Sequence, residues 1–314
     1  MGKASRTKVE VSRREKIAAQ QAAARRAEQR RRIYIASGSI IVVLAIVVAF
    51  VVVKLSSSGP GKDNSPNGPT GAALTSLINT TTNVPASALD AVGSGGGEVY
   101  PHAVQTIKGT PLTLNGKPQV LFMGAEYCPY CAAERWAIVV ALSRFGTFTG
   151  LSTVHSAKAN GAGEDEPYPD TPTWSFVHAT YTSPYFTFTS VEEYTNIPDP
   201  SNKEYYPLQT PTAGEVALLE KYDVPPLVPT GYNGAIPFID FGNKYAIGGA
   251  SYDPGVLAGL SWAQVAADLS NPNSTVAKSI DGTANYLTAA ICGLTNNASA
   301  SACTSTVQSL ESQI

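Results

Sequence analysis

The chain has 314 residues, 43% hydrophobic and 15% charged, with 22 Lys/Arg, 24 Asp/Glu and a formal net charge of −2. That length admits one large domain or two small ones, and 27 Gly with 22 Pro is average usage, which excludes collagen-like and wholly disordered chains. The near-neutral sum hides a split: residues 1–32 hold 11 Lys/Arg and 3 Glu, leaving 11 basic and 21 acidic groups for the rest. An acidic body has no basic face for phosphate, so nucleic acid is excluded as its partner.

Residues 33–53 run 21 positions without a charge, which at ~1.5 Å per helical residue covers a hydrocarbon core of ~30 Å. A cleaved secretory signal would carry a shorter apolar run and a small-residue exit site, whereas this run ends Val51-Val52-Val53-Lys54. A single transmembrane helix in the lipid bilayer is therefore expected at 33–53. Arg25, Arg26, Arg30, Arg31 and Arg32 abut its start, and only Lys54 and Lys62 follow it closely. The positive-inside rule then puts residues 1–32 in the cytoplasm as a basic tail and everything beyond the span outside. Residues 54–71, with a tract of Ser, Gly, Pro and Asn from 56 onward, are expected as a flexible linker. An extracytoplasmic domain follows over 72–314.

In that domain residues 74–78 and 86–92 suit short helices ahead of the breaker Gly93-Ser94-Gly95-Gly96-Gly97. A strand near 99–107 and a turn-rich hairpin over 109–118 come next. Residues 119–125 form an apolar run of the buried-strand type. Cys128-Pro129-Tyr130-Cys131 follows, and residues 132–142 are good helix formers, with Pro129 suited to a first helical turn because its missing N–H is not needed there. Strands are expected at 149–157 and 174–178 around a polar loop, then one long aromatic and β-branched strand at 181–196. Thr212 and Glu215 have the spacing of a capping box opening a helix to Tyr222. Two strands meet at Gly242-Asn243, and helices occupy 254–269, 274–292 and 301–312. Mixed strands followed by helices indicate an α/β fold.

All four cysteines, Cys128, Cys131, Cys292 and Cys303, lie beyond the span, on the side where thiols can be oxidised. A sulfur at a helix N-terminus meets unsatisfied N–H groups and the positive end of the helix dipole, which favours thiolate over thiol and makes Cys128 the attacking group. Cys131, one turn further in, is then less exposed and placed to resolve a mixed disulfide. Half of a zinc site and an inert structural bridge are the competing readings. The first lacks a second cysteine pair at ligand spacing or a neighbouring histidine, and the second sits awkwardly at so reactive a location. Cys292 and Cys303 are expected to form a structural disulfide joining two C-terminal helices. No metal and no cofactor is implied; His102, His155 and His178 are scattered. Pro237 opens an apolar strand, where a proline is confined to the first residue or an edge.

The stretch Ala125-Glu126-Tyr127-Cys128-Pro129-Tyr130-Cys131 resembles the thioredoxin superfamily, with the Pro-Tyr dipeptide found in glutaredoxins. Residues 84–93, 124–136, 142–146, 236–243 and 282–287 together are similar to the domain of unknown function 929 family of membrane-anchored archaeal and bacterial proteins, over about residues 74–305. The resemblance implies a thioredoxin-like fold preceded by one transmembrane helix. Since 105 residues separate Cys131 from Pro237, a large insertion lies between the C-x-x-C helix and the cis-proline strand, and a helical tail closes the chain. It also implies Cys128 as nucleophile, Cys131 as resolving thiol and Pro237 as the cis proline. The backbone at Ile236 would pair with substrate like an added strand, beside Pro129 and Tyr130. Two departures matter. Phe122 stands where thioredoxins keep a buried acid six residues before the first cysteine, with Glu126 as a partial substitute, and Tyr130 replaces the histidine of the strongest oxidants. A reduction potential near ~−200 to −230 mV is expected in consequence.

The expected function is a membrane-tethered extracytoplasmic thiol–disulfide oxidoreductase, acting on thiols or disulfides of exported proteins and recharged by a membrane redox partner. The alternative is a redox-inert thioredoxin-like binding or assembly subunit of a membrane complex.

Overall fold

Period-two alternation along one apolar strand organises the domain. The computed structural model describes residues 68–159, 166–201 and 204–314. The expected basic tail, the span at 33–53 and the linker up to residue 67 lie outside the described residues. Among those described, no helix is long and apolar enough to cross a membrane.

Helices α1 (Gly71–Thr82) and α2 (Ala86–Val92) lead to the short strands β1 (Gln105–Thr106) and β2 (Thr113–Leu114), then to the central strand β3 (Lys117–Gly124) and helix α3 (Pro129–Ser143). A β-rich stretch follows: β4 (Thr147–Thr149), β5 (Ser152–His155), β6 (Pro172–Ser175), β7 (Thr180–Thr182), β8 (Thr187–Glu192), β9 (Tyr194–Asp199) and β10 (Glu204–Pro207). Helix α4 (Ala213–Tyr222), the hairpin β11 (Phe238–Phe241) and β12 (Tyr245–Gly248), a 3-10 turn at Pro254–Leu257, and helices α5 (Trp262–Asp268), α6 (Thr275–Leu294) and α7 (Ser305–Glu311) complete the chain.

The main sheet runs β1-β12-β11-β3, with β8 on the far side of β3 and β2 paired to its first residues. Only β8 is parallel to β3; β11 is antiparallel to it. Alternate residues of β3 therefore face opposite layers. Val120 and Phe122 join Ile239, Phe241 and Ile247 in the core shared with α3 and α6, while Leu121 and Met123 join Val191, Phe238, Tyr222 and Leu227 on the other face.

Helix α3 is buried nearly all round, from Cys131 to Leu142. The β4–β7 stretch covers the side that the sheet does not: Trp136 Nε1 donates to the Pro172 carbonyl at 2.8 Å, Thr173 Oγ1 donates to Ala132 O at 2.7 Å, and Trp136 meets Trp174 edge-on. Trp174 and Phe186 are fully buried, with Tyr181, Tyr185 and Phe188 packed partly buried against them.

Several expected elements differ. The strand at 99–107 shrinks to β1 plus an isolated Val99–Tyr252 bridge, because Pro101 and the left-handed His102 (φ 59) break the ladder. The long strand at 181–196 is three strands; Pro184, which has no ladder donor, falls in the gap between β7 and β8. The helix at 254–269 is interrupted by Gly259 at φ +71. Gly242 and Asn243 do form the β11–β12 turn, with φ +67 and +57 as a primed hairpin turn requires, and Thr212 and Glu215 form the capping box.

Cys292, near the end of α6, is disulfide-bonded to Cys303, just before α7. With 11 residues of separation, loop-closure entropy assigns it roughly 3 kcal/mol. Replacing both cysteines with serine is expected to lower the free energy of unfolding by about that amount, read as a lower urea midpoint with a somewhat steeper slope, because the uncrosslinked unfolded chain exposes more surface.

Candidate active site at the end of the central strand

Three strand ends meet where β3 finishes. The parallel register sets Glu192 beside Gly124, and the antiparallel register sets Phe238 opposite Met123, so Pro237, one residue earlier, falls at the same end. Helix α3 starts there as well. Cys128 is its N-cap and Pro129 its first residue. The Cys131 N–H donates to Cys128 Sγ at 3.1 Å, the donor that a sulfur in place of a capping oxygen takes up.

The Cys128 thiol in turn donates to the Ile236 carbonyl at 3.7 Å, across 108 residues of sequence. The Ile236–Pro237 peptide is cis, and the Gly249 N–H donates to Pro237 O at 2.8 Å, tying this segment to the end of β12. Cys128, Cys131, Pro129, Ile236 and Pro237 thus share one locus, with Tyr130 exposed at its mouth. Cys292 and Cys303 belong to the C-terminal helices instead.

Both Cys128 and Cys131 are free thiols. Cys128 is 4% exposed and Cys131 is fully enclosed, the order that the helical turn between them dictates. Burial pushes the Cys131 thiol well up, its hydrogen bond with Cys128 and the neighbouring sulfur push the same way, and Arg135 and the Ala125 amide oppose them. Burial thus favours the protonated form of Cys131. Gly124 is required beside it: a Cβ there would lie 3.2 Å from Cys131 Sγ and 2.6 Å from the Phe122 ring.

The principal feature that sequence reasoning missed is Arg135, one turn beyond Cys131. Its Nε and Nη2 donate to the two oxygens of Glu192 at 2.8 and 2.6 Å, and Nη2 also donates to Ala125 O at 2.7 Å. Both side chains are completely buried. Desolvation works against the guanidinium, but Glu192 and both cysteines hold it charged. For Glu192 burial pushes the carboxyl up, and Arg135 pulls it back. The bidentate pair places the buried charge near the thiols on α3 and β8. Phe122, six residues before Cys128, lies against the guanidinium, its ring centre 5.7 Å away. Glu126, half-buried, accepts from Ser175 Oγ at 2.6 Å instead. The available signal was the pair Glu134-Arg135 standing alone in an otherwise apolar helix.

Glu134, on the same turn, accepts from the Ser251 N–H at 2.9 Å and the Ser251 hydroxyl at 3.0 Å. Burial nonetheless pushes it up to about 7. Asp281 on α6, neither of whose oxygens has a hydrogen-bond partner, is pushed up to about 8 by burial. Among the described residues no three His, Cys, Asp or Glu side chains converge as a metal-binding group.

A family model described as a domain of unknown function (DUF929) matches residues 103–293. The chain belongs to this DUF929 family. The match contains the thiol pair, the Ile236–Pro237 segment and most of α6 through Cys292. No curated protein and no solved structure matches the chain.

Two outcomes follow from the buried charges of this DUF929 domain. Arg135→Met should cost about 3–5 kcal/mol, since it strands Glu192 without a partner, and pairing it with Glu192→Leu should recover most of that loss; urea denaturation of the wild type and the two variants measures both. Glu134 and Asp281 have folded pKa values above their unfolded ones, so the native state binds their protons more tightly. Their contribution is complete below the ordinary carboxylate range and is lost as pH rises through about 7 and about 8. The thermal midpoint should fall between pH 5 and pH 8, and less steeply in Glu134→Gln.

Proposed function

We propose that the chain is a thiol–disulfide oxidoreductase whose working pair is Cys128 and Cys131, carried on a thioredoxin-like core and tethered by residues 33–53 to the outer side of a membrane. The single observation that carries this reading is the position of Cys128: it caps a helix, accepts the Cys131 N–H at 3.1 Å and faces the Ile236 carbonyl at 3.7 Å. Further support comes from the order β3-α3-β8-α4-β11-β12-α6, with β8 parallel and β11 antiparallel to β3, the order that a thioredoxin-like core would have. The insertion then comprises β4–β7 before β8 and the β9–β10 hairpin after it.

In the reducing direction Cys128, as thiolate, attacks one sulfur of a client disulfide, forming a mixed disulfide and expelling the other client sulfur as a thiolate that takes a proton. Cys131 then loses its proton and attacks Cys128 Sγ, releasing the second client thiol. Two electrons pass to the client, and Cys128–Cys131 becomes the disulfide. The oxidising direction is the reverse, and a membrane redox partner restores the starting state. The exported clients follow from the side of the membrane on which the domain stands.

The residual 4% exposure of Cys128 favours a second reading, a redox-inert binding or assembly subunit. Insulin reduction by the full chain in detergent separates the two. Cys128→Ser should abolish turnover, and Cys131→Ser should accumulate a client-linked mixed disulfide visible on non-reducing gels. Equal rates for wild type and Cys128→Ser would remove the oxidoreductase. Equilibration with glutathione should return a potential in the region of ~−200 to −230 mV.

A further inference from the structure

Large exposed apolar side chains are few among the described residues, and three of them, Tyr100, Tyr130 and Tyr232, are tyrosines near the mouth of the thiol site. Tyr130 (40% exposed) lies between the cysteines, Tyr100 (49%) precedes β1, and Tyr232 (64%) lies on the loop that leads into Ile236–Pro237. Tyr168, from the insertion, sets its ring edge-on to Tyr130 at 5.9 Å. Four segments distant in sequence thus bring phenol rings to one rim. Folding alone gives no reason to leave them in water, because each could have been spared by a smaller polar residue at no cost to the core.

The rim also has a sign. Tyr168 hydrogen-bonds the exposed Asp253, and Asp253 acts electrostatically on Tyr100, Tyr130 and Tyr168, while Glu166 acts on Tyr130. The influences on these three phenols are burial, Asp253, Glu166, Cys128, Tyr232 and one another. Asp253 is held in place by the Gly255 N–H at 2.8 Å, and Glu166 Oε1 accepts from Tyr205 at 2.9 Å. Carboxylates held beside exposed phenol rings form a surface that attracts cations both by charge and by the aromatic quadrupole.

We infer that this rim is the docking surface for client polypeptide, and that it selects extended segments in which the reacting cysteine is flanked by lysine or arginine. The inference rests on the oxidoreductase reading for its client, and it adds which clients are taken. The flanking cations lie over Tyr100, Tyr130, Tyr168 and Tyr232 beside Asp253 and Glu166, while the client backbone runs along Ile236. A segment with glutamate at those positions meets the same carboxylates and is repelled.

The test uses the full chain in non-ionic detergent and two sets of dodecapeptides whose central residue is flanked by lysine or by glutamate. Fluorescent peptides with serine at the centre, titrated into Cys128→Ser protein, measure docking without chemistry; the lysine peptide should bind about tenfold more tightly at low salt, and the gap should narrow at high salt. Asp253→Asn and, separately, Tyr232→Ala should each shrink the lysine-over-glutamate ratio severalfold. The second variant alters only an exposed ring, so a folding defect in the first leaves the question decidable. In parallel, wild-type protein is given hydroxyethyl disulfide and the corresponding peptide disulfides. Turnover of hydroxyethyl disulfide with equal treatment of the lysine and glutamate peptides overturns the docking surface and leaves the redox reading standing. A lysine preference in binding with no turnover of any disulfide does the opposite.

Discussion

The buried Arg135–Glu192 pair is the constraint around which the reactive end of this domain is assembled. One guanidinium binds the carboxylate at the end of β8 and the carbonyl of Ala125, the residue that follows β3. It thereby fixes three elements at the point where the chain turns from strand into helix. Removing two charges from water is expensive, and only the bidentate geometry and the additional carbonyl bond offset that cost. A hydrophobic substitute of similar volume could serve stability as well. What it could not provide is a permanent positive charge within reach of both sulfurs.

The same concentration of unusual groups continues along α3. Glu134 is enclosed and held by Ser251, and Tyr252 next to Ser251 donates its hydroxyl to the Ala133 carbonyl at 2.7 Å. The helix that carries the thiols is thus attached by polar contacts to the segment following the β11–β12 hairpin, and by aromatic ones to the β4–β7 stretch. In energetic terms that stretch is an outer wall for α3, supplying the apolar partner that lets the helix be buried almost throughout its length.

Much of this was legible in the chain because the governing signals are local. The run from Gln119 to Gly124 is apolar at every second and every intervening position between Val120 and Met123, which requires cover on both faces, and both are covered. Thr212 with Glu215, Pro129 after Cys128, and Gly242-Asn243 are short-range signals whose physics is complete within four residues. What was not legible depends on pairings over long separations. Glu192 gives no sign that its partner is 57 residues upstream, since the parallel register that brings them together is absent from either neighbourhood. The breaks at Pro101-His102 and Pro184 were visible as residue types but lost against the β-branched and aromatic residues around them. The rim tyrosines lie on four unrelated segments, so neither composition nor spacing announces that they are neighbours.

Burial of α3 also bears on the proposed exchange. The helix is walled by the sheet, the β4–β7 stretch and α6 along its length, and among the described residues the sulfur pair lies at its first turn. Under the proposed redox role, a molecule that empties the pair and a molecule that refills it would therefore take turns at one doorway. Such a domain would pass charge between two parties without holding both at once.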